Sequence, residues 1–176
     1  MNTRISRPRK SFPALLVTLG FATALLAPAQ QPGKGRGPGG GGGPLPPEAR
    51  EQIHTLFSNH KKIRREVTET EHGYTALTES DDPAVAAALK KHVRQMEDRL
   101  EQGLMVRRWD PAFEEYVRHY KDMDTDFEKT DKGVRMTVKG RTPDAAKVAR
   151  NHAKVVSAFV ANGMDEHDVQ HPKALQ

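Results

Sequence analysis

Two stretches decide the fold: residues 70–103, TEHGYTALTESDDPAVAAALKKHVRQMEDRLEQG, and residues 130–163, TDKGVRMTVKGRTPDAAKVARNHAKVVSAFVANG. Slid over one another at an offset of sixty, they share Thr70 with Thr130, Gly73 with Gly133, Pro83 with Pro143, Ala86 with Ala146, His92 with His152 and Gly103 with Gly163. The matches fall on a turn glycine, a helix-start proline, a mid-helix histidine and a helix-end glycine, which is the pattern of a duplicated unit. Upstream, with a one-residue adjustment, Phe57 and His60 pair with Tyr116 and His119.

Each half reads as helix, strand, strand, helix, over about 51–105 and 110–164. Pro46 and Pro47 precede a first helix running to about Arg65, with Ile53, Leu56, Phe57, His60 and Ile63 on one face. A hairpin follows, Val67 to Thr70 and Tyr74 to Thr78, around Glu71-His72-Gly73, where glycine can take the positive φ of a turn. Asp82 then caps and Pro83 opens a second helix, which Gly103 ends. Trp109-Asp110-Pro111 restarts the pattern, with Phe113, Tyr116, Val117 and Tyr120 as the next apolar stripe. Phe127, Val134, Met136 and Val138 alternate through a second hairpin across Asp131-Lys132-Gly133. Thr142 and Pro143 open the last helix, with Ala145, Val148, Ala149, His152, Val155, Val156 and Phe159 inward. The expected fold is α+β: two tandem αββα repeats sharing a four-stranded antiparallel sheet covered by four helices, related by a pseudo-twofold axis. Neither half alone would bury enough surface to be stable, so the two should share one core.

The runs HTLFSNHKKIRREVTETEHGYTALTESDDPAVAAALKKHVRQMEDRLEQG, WDPAFEEY and NHAKVVSAFVANGM resemble a family of uncharacterised exported bacterial proteins with a duplicated αββα unit. The resemblance covers roughly residues 53–172. It implies a compartment and no chemistry.

Residues 1–29 have the form of a Sec-type signal peptide. Arg4, Arg7, Arg9 and Lys10 precede an apolar stretch from Phe12 to Leu26, and Ala27-Pro28-Ala29 supplies small residues for cleavage. The stretch is short of the roughly 20 residues a transmembrane helix needs, so no stable membrane span is expected after cleavage. The expected location is exported, periplasmic or secreted. Residues 30–50 form a Gly/Pro-rich spacer, expected to be disordered because it has almost nothing to bury. Its Gly35, Gly37 and Gly40 match a dinucleotide-binding spacing without the strand and helix that would give it meaning. Residues 51–172 are the domain, and 173–176 a tail.

The formal charge of +5 dissolves on this division. The export segment carries four basic residues and no acid, the spacer a net +2, and residues 51–176 a net −1. A near-neutral domain with interspersed charges lacks the clustered basic face of a nucleic-acid binder. With no cysteine there is no disulfide, thiolate metal site, cysteine nucleophile or c-type haem attachment. Asp122, Asp124 and Asp126 open like a calcium loop, but its sixth and twelfth positions are Phe127 and Gly133 instead of glycine and glutamate. No H-E-x-x-H, G-x-S-x-G or Walker motif occurs, and no nucleophile stands with a base.

What remains is the histidines, eight in all. His60, His92 and His152 lie on apolar stripes, and His119 lies beside one. Were the last helices of the halves to pack across the axis, His92 and His152 would face one another, as in a shared copper or zinc site or a bis-histidine haem b. His60 and His119 would be further ligands or partners. Met96, four residues after His92, is a thioether suited to copper. With 6% aromatic residues a haem lining is thin, so copper or zinc is preferred to haem b. His167 and His171, at i and i+4, form a weaker second candidate on a segment expected to fray. The expectation is thus an exported binding protein holding a metal ion, or less readily haem b, rather than an enzyme. The competing reading is an envelope structural or interaction module whose histidines merely satisfy the core.

Overall fold

From Ile63 the side chains alternate inward and outward with the period of a strand, and this settles where the first helix stops. The computed structural model describes residues 45–105 and 107–175; the export segment and residues 30–44 of the spacer lie outside the described residues. Helix α1 covers Pro47–Ser58. A single 3-10 turn, His60–Lys62, then leads into strand β1, Ile63–Thr70, paired across a tight turn with β2, Gly73–Ser80. Helix α2 covers Pro83–Glu101. The second half runs α3, Pro111–His119, a 3-10 turn at Tyr120–Asp122, β3, Met123–Lys129, β4, Gly133–Gly140, and α4, Pro143–Asn162.

The first helix ends at Ser58, not near Arg65, because Ile63, Arg65 and Val67 follow the period-two alternation of β1 and turn toward the helices. Its start at Pro47 takes in residues 47–50, the end of the segment read as spacer. The 3-10 turns stand sixty residues apart, so the positional counterpart of His60 is Tyr120, not His119.

The strands form one antiparallel sheet in the order β1-β2-β4-β3. The two hairpins have the same register: Ile63 faces Ser80, and Met123 faces Gly140. In the central β2–β4 pair Ala76 faces Met136, and Gly73 and Gly133 face Lys139 and Glu79. Gly73 takes the expected positive φ, +154°, and both glycines also stand at a close approach between neighbouring strands. A Cβ on Gly73 would stand 2.1 Å from the Val138 carbonyl oxygen, and one on Gly133 would stand 2.1 Å from that of Thr78. Only hydrogen fits at either position.

All four helices lie on one face of the sheet, since Tyr74, Ala76, Thr78 and Ser80 of β2 and Val134 and Val138 of β4 are buried while the alternate residues are not. The opposite face is polar, as antiparallel sheets allow, with Glu128 paired to Arg135 and Thr75 hydrogen-bonded to Thr137. Asp82 caps α2 through the amides of Ala84 and Val85, Thr142 caps α4 through Ala145, and a proline occupies the first turn of every helix. Buried Ala145, Ala149 and Ala153 on α4 and Ala88 on α2 let these helices sit close on the sheet. Helix α1 packs on α2, and α3 on α4. The core falls accordingly into two clusters. One holds Tyr74, Tyr116, Val138, Val148 and Ala149, and the other Leu56, Ile63, Val85, Ala88 and Leu89. Among the described residues no helix is long and apolar enough to cross a membrane.

Candidate functional site: a cavity between two helix pairs

Between the α1/α2 pair and the α3/α4 pair, over the sheet, lies a cavity of about 460 Å³, partly open to solvent and lined mostly by apolar groups. Leu56, Ile63 and Leu89 of one core cluster and Tyr116 of the other contribute to its walls. At about 24 cal/mol per Å³, a sealed apolar space of this volume would cost on the order of 10 kcal/mol, comparable with the net stability of a whole domain. Native interiors are otherwise close-packed. The volume falls in the range of small-molecule sites.

Phe57, Met96, Phe113, Val117, Val156 and Phe159 form much of the apolar lining. Phe57 stacks on Phe159 at 5.4 Å between centroids, bridging α1 and α4 at one side of the cavity. Polar groups enter at few points. Arg65 reaches in from β1, donating through Nη1 to Thr78 Oγ1 at 2.7 Å and through Nε to Ser157 Oγ at 3.3 Å. Its Nη2 and the hydroxyl of Tyr74 are buried side by side and interact with one another, and neither has a further hydrogen-bond partner among the described residues. Burial pulls the guanidinium below its ordinary pKa, opposed by the Tyr74 hydroxyl, and burial pushes the Tyr74 phenol up.

His92 and His152 both line the cavity. Each is enclosed by neighbours while keeping some surface on the hollow. Burial lowers His92 to about 4. It lowers His152 to about 3, with the Arg65 charge as a lesser cause. Both imidazoles are therefore neutral near pH 7. His152 lies on Tyr116 and meets Phe113 edge-on, while Nδ1 of His92 is buried without a hydrogen-bond partner among the described residues.

The other candidate histidines are placed differently. His60 lines the cavity, with Nδ1 3.1 Å from the Val160 carbonyl oxygen. Its ring packs against Gly163, where a Cβ would stand 2.4 Å from Cδ2. His119, at the end of α3, is absent from the cavity lining, because the offset of sixty places Tyr120 there instead. His167 and His171 do not share a helix face, since the chain leaves helical geometry after His167. His167 is exposed, lies at the cavity margin and bonds Asp168. His171 is buried between two carboxylates, with Nδ1 2.7 Å from Asp110 and Nε2 2.8 Å from Glu166. Each ring nitrogen is already engaged by a carboxylate, so neither is free for a metal. Among the described residues no group of three or more histidine and carboxylate side chains is arranged to hold a metal ion.

The segment expected to fray is fastened. Asp110 is fully buried and caps α3 through the Ala112 amide while accepting from the His171 amide. Buried Glu115 accepts from the amides of Ala174 and Leu175. Arg107 donates to the carbonyls of His167 and Val169 and lies over the rings of Trp109 and Phe159. By its sequence context Asp110 is only a helix cap and Arg65 the end of a helix. The alternation of Ile63, Arg65 and Val67 is the available signal for Arg65; nothing local marks His171 as a partner of Asp110, because it lies 61 residues away.

Comparison with known proteins found no matching family model, no matching curated protein and no matching solved structure.

Proposed function

We propose that this chain is a binding protein that takes up a small, largely apolar molecule between its two helix pairs. The observation that carries the reading is the cavity of about 460 Å³, walled by both core clusters. Its lining has the character of a ligand site, with a broad apolar surface and a few placed polar groups. Residues 1–29 support an exported location for this binding. The common register of the hairpins, and the matched close approaches at Gly73 and Gly133, support descent from one duplicated αββα unit with the halves about a pseudo-twofold axis. On that reading the ligand lies where the halves meet.

The direct test is titration of purified protein with the neutral fluorophore N-phenyl-1-naphthylamine. The expected result is saturable, blue-shifted emission at one equivalent, lost in Val156→Trp, whose indole occupies the cavity. Unsaturable or absent emission from folded protein overturns the reading.

A metal-holding function through His92 and His152 is the second reading. It is favoured by one observation: both neutral rings line the same cavity, and Nδ1 of His92 has no protein partner. Copper and zinc are the ions that neutral imidazoles suit, and haem b would use the same pair. Equilibrium dialysis against each, with the visible spectrum for haem, tests it. Uptake abolished by His92→Ala with His152→Ala supports it, and absence of uptake removes it.

A further inference from the structure

We propose that the molecule held in the cavity is an organic acid, an apolar body ending in one carboxylate, with the carboxylate at Arg65. The inference rests on the cavity reading above and adds the chemistry of the head group.

Arg65 is the anomaly on which it turns. Its guanidinium is enclosed at the cavity wall, yet its neighbours are hydroxyls: Thr78, Ser157 and Tyr74. Among the described residues no carboxylate forms an ion pair with it, and Nη2 has only the Tyr74 hydroxyl beside it. Buried guanidinium groups are normally matched by an anion, because hydroxyls satisfy donors without offsetting the loss of hydration of a full charge. The exposed arginines show the contrast: Arg64 pairs with Asp81, and Arg141 with Asp124. Arg107 also lines the cavity, but Asp110 and two carbonyls already engage it. Arg65 is placed to complete its pairing with a ligand anion, and the neutral ring of His152, which senses the Arg65 charge, is nearby to donate a further hydrogen bond.

The two halves differ where it matters. Sixty residues after Arg65 stands Thr125, and the residue sixty before Ser157, the partner of Arg65, is Glu97. Glu97 also lines the cavity. It lies on α2, which packs against the Tyr120–Asp122 turn leading into β3, and pairs with Arg94 at 3.6 Å, whereas Arg65 belongs to β1 at the opposite edge of the sheet. The lining therefore has a cation without an acidic partner toward one edge and a carboxylate that is already paired away from it. A single anionic head at the β1 end with an uncharged body fits both; a dianion with a second charge near Glu97, or a cation at Arg65, does not.

The experiment displaces bound N-phenyl-1-naphthylamine with three probes of equal chain length: dodecanoate, 1-dodecanol and dodecylamine, below their aggregation limits at pH 7.5. Dodecanoate is expected to act at concentrations at least about tenfold lower than the alcohol, the scale of a hydrogen bond to a charged group. Arg65→Met should erase that advantage, bringing the acid to the potency of the alcohol, while Arg65→Lys keeps part of it and Glu97→Gln does not diminish it. Equal potency of acid and alcohol on the unaltered protein, or a preference for the amine, overturns the assignment of an acid while leaving the cavity reading in place. Failure of the fluorophore itself to bind overturns the cavity reading instead. The acid-to-alcohol ratio on the unaltered protein decides the matter even if Arg65→Met does not fold.

Discussion

The imidazole of His152 lies flat on the phenol ring of Tyr116, with centroids 3.7 Å apart and planes inclined by 16°. The stack ties α4 to α3 and fixes a titratable ring, held neutral, in the wall of the cavity. Its counterpart sixty residues earlier, His92, is held neutral in the same wall by burial alone.

Acid should therefore destabilise the fold well above the carboxylate range. His92 and His152 are held down to about 4 and about 3, chiefly by burial, whereas a histidine in the unfolded chain titrates near 6.5. Between those values the unfolded chain binds more protons than the folded one, so stability rises with pH and is lost on acidification. The slope approaches about 1.4 kcal/mol per pH unit for each ring. The urea midpoint should fall between pH 7 and pH 5, and the double variant His92→Leu, His152→Leu should show a flatter dependence. A midpoint that does not move with pH in the parent protein would contradict neutral burial.

Replacing His171 by alanine should be among the most damaging changes outside the apolar core. It would leave the carboxylates of Asp110 and Glu166 buried and facing a hole. Loss of one partner from such a buried set costs about 3–5 kcal/mol. Thermal unfolding monitored by circular dichroism is the measurement; a change in Tm of only a degree or two would show that the pairing contributes little. Because the same segment supplies Met164 and His167 to the cavity margin, fluorophore binding should weaken in parallel.

The central strands should tolerate no side chain at Gly133. A methyl group there would press on the Thr78 carbonyl oxygen and the Glu79 Cα, both backbone, so relief requires β2 and β4 to separate. Gly133→Ala is expected to cost at least about 3 kcal/mol, read as a lower denaturant midpoint or as failure to refold. Gly73→Ala should behave alike, since its contact with Val138 repeats the geometry. Near-normal stability in either variant would show that the strands can yield.

Filling the cavity should strengthen the fold while abolishing binding. Val156→Phe adds volume to the lining without introducing a polar atom, and changes of this kind commonly add about 0.5–2 kcal/mol. The pairing of a raised Tm with lost fluorophore emission is the signature. A lowered Tm would mean that the space near Val156 cannot accept a ring.

The elements were legible because their signals are short-ranged. The proline openings at Pro83, Pro111 and Pro143, the caps at Asp82, Asp110 and Thr142, and the alternation of Val134, Met136 and Val138 each act within a few residues, and the structure has the helices and strands they announce. The end of the first helix misled, because Ile63 continues a helical stripe as well as it begins a strand, and only pairing with Ser80 chooses between them. Gly73 was legible through its turn, where its φ is positive; the close approach of the neighbouring strand, which also requires glycine at Gly133, was not.

By itself the sequence determined an α+β chain with four helices and four antiparallel strands, and marked His92 and His152 as equivalent points within it. Tertiary structure alone decided what surrounds them: that both line one cavity, that Arg65 enters it without an acidic partner, that His119 stays outside, and that His171 is already taken by Asp110 and Glu166. The physical reason is the range of the forces involved. Periodicity, caps and turns are settled between residues a few positions apart. Burial, ion pairing and cavity shape are settled between residues about sixty to a hundred positions apart, which meet only when the sheet has formed and the helices have packed on it.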